Sequence, residues 1–262
     1  MQPINRANVI FLKYFIGSLL FLLIGNDAFA QIVNIEDKRS ELVDSVQWVE
    51  QLELGFNLTR NKTEVFNIRG KAQIEFTYFD KLLISITDFN FVKANNTNFV
   101  NEGFQHLRYN SKMNDWLTFE LFGQVQYNER ANIALRTLAG TGLRYQLFEK
   151  GKDRGFLGTS YMYEFEEESL EEIKHNNHRL STYLSFSWHP QENIQVASTS
   201  YFQPLFTQWS DYRLSSQTSV IFSFSKRLDF RSTFSIVYDS RAALGAPKTI
   251  YRLLNSFRYR FR

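Results

Sequence analysis

The sequence has no cysteine, four prolines and twelve glycines in 262 residues. Without cysteine there is no disulfide framework, no thiolate metal site and no cysteine nucleophile. So little proline and glycine leaves no low-complexity linker. A charge excess is missing too: 30 basic residues stand against 27 acidic ones, a formal net charge of +3. That balance argues against the concentrated basic face that nucleic-acid binding needs. After residue 30 no stretch is apolar enough for a spanning helix, which takes roughly 20 residues. Aromatics, by contrast, make up 16% of the chain, with 26 Phe and 13 Tyr. Such a load is incompatible with a disordered chain.

Residues 1–30 read as a secretory signal peptide. Arg6 and Lys13 give a basic start, Tyr14–Ile24 is a short apolar run, and Ala28-Phe29-Ala30 supplies a small-x-small cleavage site. Cleavage after Ala30 is expected to leave a mature chain starting at Gln31. Residues 31–46 are too polar for a lipid-facing strand and are expected to form a periplasmic segment or a small plug in the lumen.

From residue 47 to 262 the hydrophobic period is two. Leu52, Leu54, Phe56 and Leu58 alternate with Glu53, Gly55, Asn57 and Thr59, and Leu117, Phe119, Leu121 and Val125 with Thr118, Glu120 and Gln124. The same two-sided pattern returns over Phe66–Phe76, Leu135–Leu147, Leu180–Trp188, Tyr212–Phe224, Leu228–Tyr238 and Tyr251–Phe261, with less regular versions near 82–91, 99–110, 156–166 and 194–203. This predicts about twelve strands of roughly 9–13 residues joined by short turns, an antiparallel up-and-down meander.

Alternation alone does not say which face is wet, but three observations do. Strands of this length cross a tilted bilayer at roughly 9–11 residues each. A closed barrel of about twelve strands is too wide for side chains to fill with a dry core. Aromatics also gather at both strand ends, with Trp48, Tyr109, Trp116, Tyr145, Trp188 and Tyr259 at one and Tyr212 and Tyr238 at the other. Two such girdles mark a transmembrane barrel. The expected fold is therefore all-β, a transmembrane antiparallel barrel in the outer membrane of a Gram-negative cell. In the last strand Phe257, Tyr259 and Phe261 share one face, the form of a C-terminal signal read by the barrel-assembly machinery, although Arg262 follows the final aromatic.

Three segments carry a resemblance: Gln31–Arg39 (QIVNIEDKR), Asn101–Asn110 (NEGFQHLRYN) and Glu120–Tyr145 (ELFGQVQYNERANIALRTLAGTGLRY). They resemble the family of the domain of unknown function 481, which includes salt-induced outer-membrane barrels, in its Bacteroidetes-type form. The most specific piece is the hairpin carrying Glu120, Phe122, Gln124, Arg136, Gly140, Gly142 and Arg144. The resemblance implies an outer-membrane barrel and a link to salt or osmotic stress. It implies no catalytic activity.

With the apolar face toward lipid, the other face lines the lumen. Arg69, Lys71, Arg108, Glu120, Arg136, Arg144, Arg213, Arg231, Arg252 and Arg258 fall there. Rings of Arg and Lys suit anion pores, whereas opposite charges confined in a narrow bore pair up and fill it. Glu120 with Arg136 or Arg144 is the expected ion pair. Gly140 and Gly142 on that face are expected to make room for bulky neighbours or to let the strand bend.

Catalysis has little to work with. His175 and His178, placed in an outer loop near Ser181, and His106 in a strand are the candidates for a lipase-like base. No spacing brings any of them to a nucleophile. The acidic run Glu164–Glu172 lacks the ligand spacing of a calcium loop. No catalytic residue, metal or cofactor is expected. The partners expected are membrane lipid, the assembly machinery and small solutes, with no nucleic acid; the oligomeric state is left open. The function expected is a structural or passive small-solute barrel. A lipid-modifying enzyme and a soluble barrel holding an apolar ligand are the alternatives.

Overall fold

The computed structural model describes residues 47–60, 64–94, 97–170, 173–225 and 228–259. The expected signal peptide, the segment 31–46 and Phe261 lie outside them. Twelve strands follow one another: β1 (Gln47–Arg60), β2 (Glu64–Tyr78), β3 (Lys81–Ala94), β4 (Thr97–Lys112), β5 (Leu117–Asn128) and β6 (Ile133–Lys150). After them come β7 (Asp153–Glu168), β8 (Lys174–Gln191), β9 (Ile194–Leu205), β10 (Gln208–Ser223), β11 (Leu228–Asp239) and β12 (Thr249–Tyr259). Each pairs antiparallel with the next, in the order of the sequence.

The strands run to 11–18 residues, longer than their hydrophobic patterns. His175 and His178 lie within β8 rather than in an outer loop; His189 and Pro190 also belong to β8, and Pro204 to β9. Polar residues prolong the pairing past the apolar stretch: the Asp153 carboxylate accepts the His189 backbone N–H at 2.7 Å. Pro190 has no N–H to give, and the β8–β9 register shifts between Trp188 and Gln191.

Side-chain bonds show how far the sheet curls. The Tyr183 hydroxyl on β8 donates to Glu120 on β5 at 2.7 Å, and Arg213 on β10 donates to Glu166 on β7 at 2.9 Å. In a flat sheet, strands three apart are separated by about 14 Å. These faces therefore turn inward, around the bore of a barrel.

The two faces have opposite chemistry. Leu52, Leu54, Phe56 and Phe257 are about 70% exposed (73%, 71%, 69% and 71%), whereas Glu164 and Asp229 are 0% and Arg179 2% exposed. Register explains the sorting, because residues paired across a ladder share a side. Phe119 faces Leu143 on the outside, and Glu120 faces Gly142 on the inside.

Aromatics edge the outer face. At the end where β1 begins and β12 finishes, Trp48 packs on Phe76 at 4.5 Å and Trp116 stacks on Tyr145 at 6.2 Å, with Trp188 exposed. At the far end Tyr212 lies between Phe202 and Tyr238, 5.8 and 5.7 Å away. Tyr109 is half-buried and pairs with Leu83 and Leu121.

Two regions depart from a uniform rule of apolar out and polar in. On β3 it is Leu82, Ile84 and Ile86 that point inward, forming a buried cluster with Phe104 of β4. The intervening Ser85 and Thr87 face outward, where both bond the Gln105 amide. Serines also occupy the outer wall: Ser198 bonds Thr218 and Ser200 bonds Ser216, each at 2.8 Å. Hydroxyl pairs of this kind satisfy each other without any further partner, so serine does not mark the lumen.

Candidate functional site

The inner face carries two layers of charged side chains, one nearer each end of the bore. In the layer toward the chain ends, Arg108 of β4 donates to Glu120 at 3.2 Å. Tyr183 donates to the same carboxylate, and Arg144 of β6 donates to the Tyr183 hydroxyl at 3.3 Å. Aromatics support both arginines: Arg144 lies 3.7 Å from the Phe156 ring centroid and Arg108 5.1 Å from that of Phe122. Gly140 gives Phe122 its room, since that ring fills the space a Cβ there would take.

The second layer centres on Glu164 of β7. Its carboxylate accepts from Arg179 Nε at 3.1 Å, from Arg213 and from Asn177, and Arg136 lies 3.9 Å away. Arg136 binds Glu166 at 2.5 Å; Arg213 also reaches Asp239 at 2.6 Å, and Arg179 reaches Asp211 at 3.0 Å. Three arginines thus interlock with four carboxylates from β7, β10 and β11. Charged groups taken from water need this degree of mutual satisfaction.

Arg136 is therefore not the partner of Glu120; it binds Glu166 and Glu164, and its place in that pairing belongs to Arg108, with Arg144 joining through Tyr183. Glu164 and Glu166, at the start of the acidic run, lie within β7, which continues to Glu168 and turns both into the bore. Arg69 lies on the inner face 3.9 Å from Asp88, opposite which Lys71 is registered. Arg231 and Arg252, half-buried, are on inner positions of β11 and β12, registered opposite Ser256 and Ser235. Arg258 pairs in register with Asp229 and Tyr259 with Leu228; their side chains lie outside the described set.

Between the layers is a cavity of about 110 Å³, bordered by His106, Arg108, Gln124, Arg136, Glu164 and Arg213 among others. His106 Nδ1 meets the Gln124 amide oxygen at 2.9 Å, and that amide bonds Gln126 in turn. The other histidines bind acids or aromatics: His178 the Tyr161 hydroxyl, His175 Glu168 at 2.8 Å and His189 Asp153 at 3.1 Å. Ser181, near His178 in sequence, takes the Gln203 amide instead. These contacts assemble no Ser–His pair.

Sequence reasoning missed the inward aromatics Phe122, Phe156, Tyr183 and Tyr201. Their signal was present: each occupies the phase of the polar residues, and Phe122 and Tyr183 stand opposite glycines, Gly140 and Gly158.

The model of the family described as "Protein of unknown function, DUF481" matches residues 50–261. The chain belongs to the DUF481 family. Among curated proteins no sequence matches this DUF481 chain. It is similar to the solved NanC porin at 8% identity and a TM-score of 0.45, covering 83% of this chain and 100% of that one. The KdgM porin is similar at 9% identity and a TM-score of 0.40, covering 82% and 100%. A bacterial polysaccharide outer membrane secretin is similar at 10% identity and a TM-score of 0.42, covering 82% and 91%.

Proposed function

We propose that this DUF481 protein is an outer-membrane β-barrel of structural or passive-transport type, whose narrow lumen admits only small solutes. One observation carries the reading: the wall is inverted, with Leu and Phe side chains outside and a bonded network of arginines and carboxylates inside. In water, so much exposed apolar wall would drive association. In a bilayer the same wall is solvated, and the two aromatic belts sit at its interfaces. An interior of ion pairs is no cage for an apolar ligand, which argues against a soluble carrier. The bonded layers narrow the bore, so its conductance is expected to be small and its solute limit low.

Fractionation and electrical recording test this together. The protein is expected in the outer-membrane fraction, extracted only by detergent, and to give small discrete steps in planar bilayers. Release without detergent would end the membrane reading; a silent bilayer would leave the structural role alone. The proposal extends to salt or osmotic stress. Normal growth of a deletion strain across a salt gradient would remove that part.

A further inference from the structure

The cavity between the two layers has an uneven charge. Setting histidine aside, its charged lining is three arginines, Arg108, Arg136 and Arg213, against one carboxylate, Glu164. The other acids bonded to those arginines, Glu120, Glu166 and Asp239, do not line it. They bond the guanidinium groups without bordering the space, so the side chains that do border it carry more positive than negative charge.

Two buried nitrogens on this wall lack partners. Arg108, 5% exposed, has no acceptor for Nε–H, and His106, 3% exposed, has no partner at Nε2. Buried polar groups of native proteins are nearly always bonded, so each orphan asks for an occupant. The His106–Gln124–Gln126 chain can run in either direction. Turning both amides over exchanges donor and acceptor without losing a bond and puts the imidazole hydrogen on Nε2. The wall then presents two N–H groups beside three cations.

We propose that this cavity binds a small monovalent anion, of halide to acetate size, between Arg108 Nε–H and His106 Nε2–H. The cavity has room for several water-sized groups. With an acid already bonded to each arginine, one added negative charge suits it better than two. The inference rests on the proposed lumen being reachable by small solutes, and it makes the anion a resident of that path.

The test uses the mature barrel purified in detergent. Crystals soaked in sodium bromide are expected to show an anomalous bromine peak in the cavity. In solution, bromide and acetate are expected to raise the heat-unfolding temperature as ligands of the folded state do. Arg108→Lys keeps a cation against Glu120 but has no Nε–H, so the apparent bromide affinity should fall about tenfold or more. His106→Phe, which preserves the ring packing on Phe122, should weaken it as well and serves if Arg108→Lys does not fold. Ordered water alone in the cavity, with wild type and variant answering salt identically, overturns the proposal. Planar-bilayer recording on the same sample separates the two readings: steps without cavity bromide defeat only the anion site, and cavity bromide without steps defeats only the channel.

Discussion

The inner wall solves one problem in two ways. Over β6–β10 the bore is occupied by Arg136, Arg179 and Arg213 interlocked with Glu164, Glu166 and their neighbours. Over β3 and β4 it is occupied by Leu82, Ile84, Ile86 and Phe104. Both groups are buried, yet one is ionised and the other apolar. Inside such a barrel, what decides a side chain's place is whether it finds a complement among the inward side chains around it. Charge finds it in opposite charge, and an aliphatic cluster finds it in itself.

The ionic side is the more fragile to single changes. Glu164→Ala removes the common acceptor of Arg179 and Arg213 and leaves buried guanidinium N–H groups without an acceptor, although Asp211, Glu166 and Asp239 still balance the three charges. At about 1.5–3 kcal/mol for each lost bond to a charged group, the expected loss is about 3–5 kcal/mol of folding stability, read from urea unfolding in detergent or lipid vesicles. A loss within 1 kcal/mol would mean that the layer is wet and loosely held. On the apolar side Ile84→Ala should cost about 2–4 kcal/mol through lost contact and the cavity it leaves, and the loss should not respond to salt.

The outer face offers a sharper comparison. Leu184 is half-exposed near the middle of β8. Leu184→Arg is expected to destabilise the barrel by about 2–4 kcal/mol in lipid, the cost of an arginine at mid-depth. On a water-facing surface the same substitution stays within about 0.5 kcal/mol. Refolding into vesicles therefore reads the orientation of the whole wall, independently of any transport measurement.

Much of this was legible beforehand. Two-residue alternation fixed the strands, and the phase of Glu120, Arg136 and Arg144 put them on one face. The partners of those charges were not legible. Glu120 meets Tyr183, 63 residues away and three strands around the bore, and such a meeting depends on curvature, which no local pattern carries. The inverted β3 was hidden for a related reason. Leu-Leu-Ile-Ser-Ile-Thr gives an apolar residue in either phase at its start, and only the Gln105 amide on the neighbouring strand decides that Ser85 and Thr87 belong outside.

Tyr183→Phe tests the smallest part of the comparison, the joint between aromatic and ionic packing. The ring remains over Gly158, and only the hydroxyl that bridges Glu120 and Arg144 is lost. Because both partners are charged, the expected cost is about 1.5–3 kcal/mol. Glu120 keeps Arg108 throughout, so the layer should loosen without coming apart, and unfolding should remain a single cooperative step. If the variant matches wild type, the aromatic body holds this layer and the hydroxyl is incidental. If it loses as much as Glu164→Ala, the two layers act as one unit, and combining both substitutions should then cost clearly less than the sum of the two.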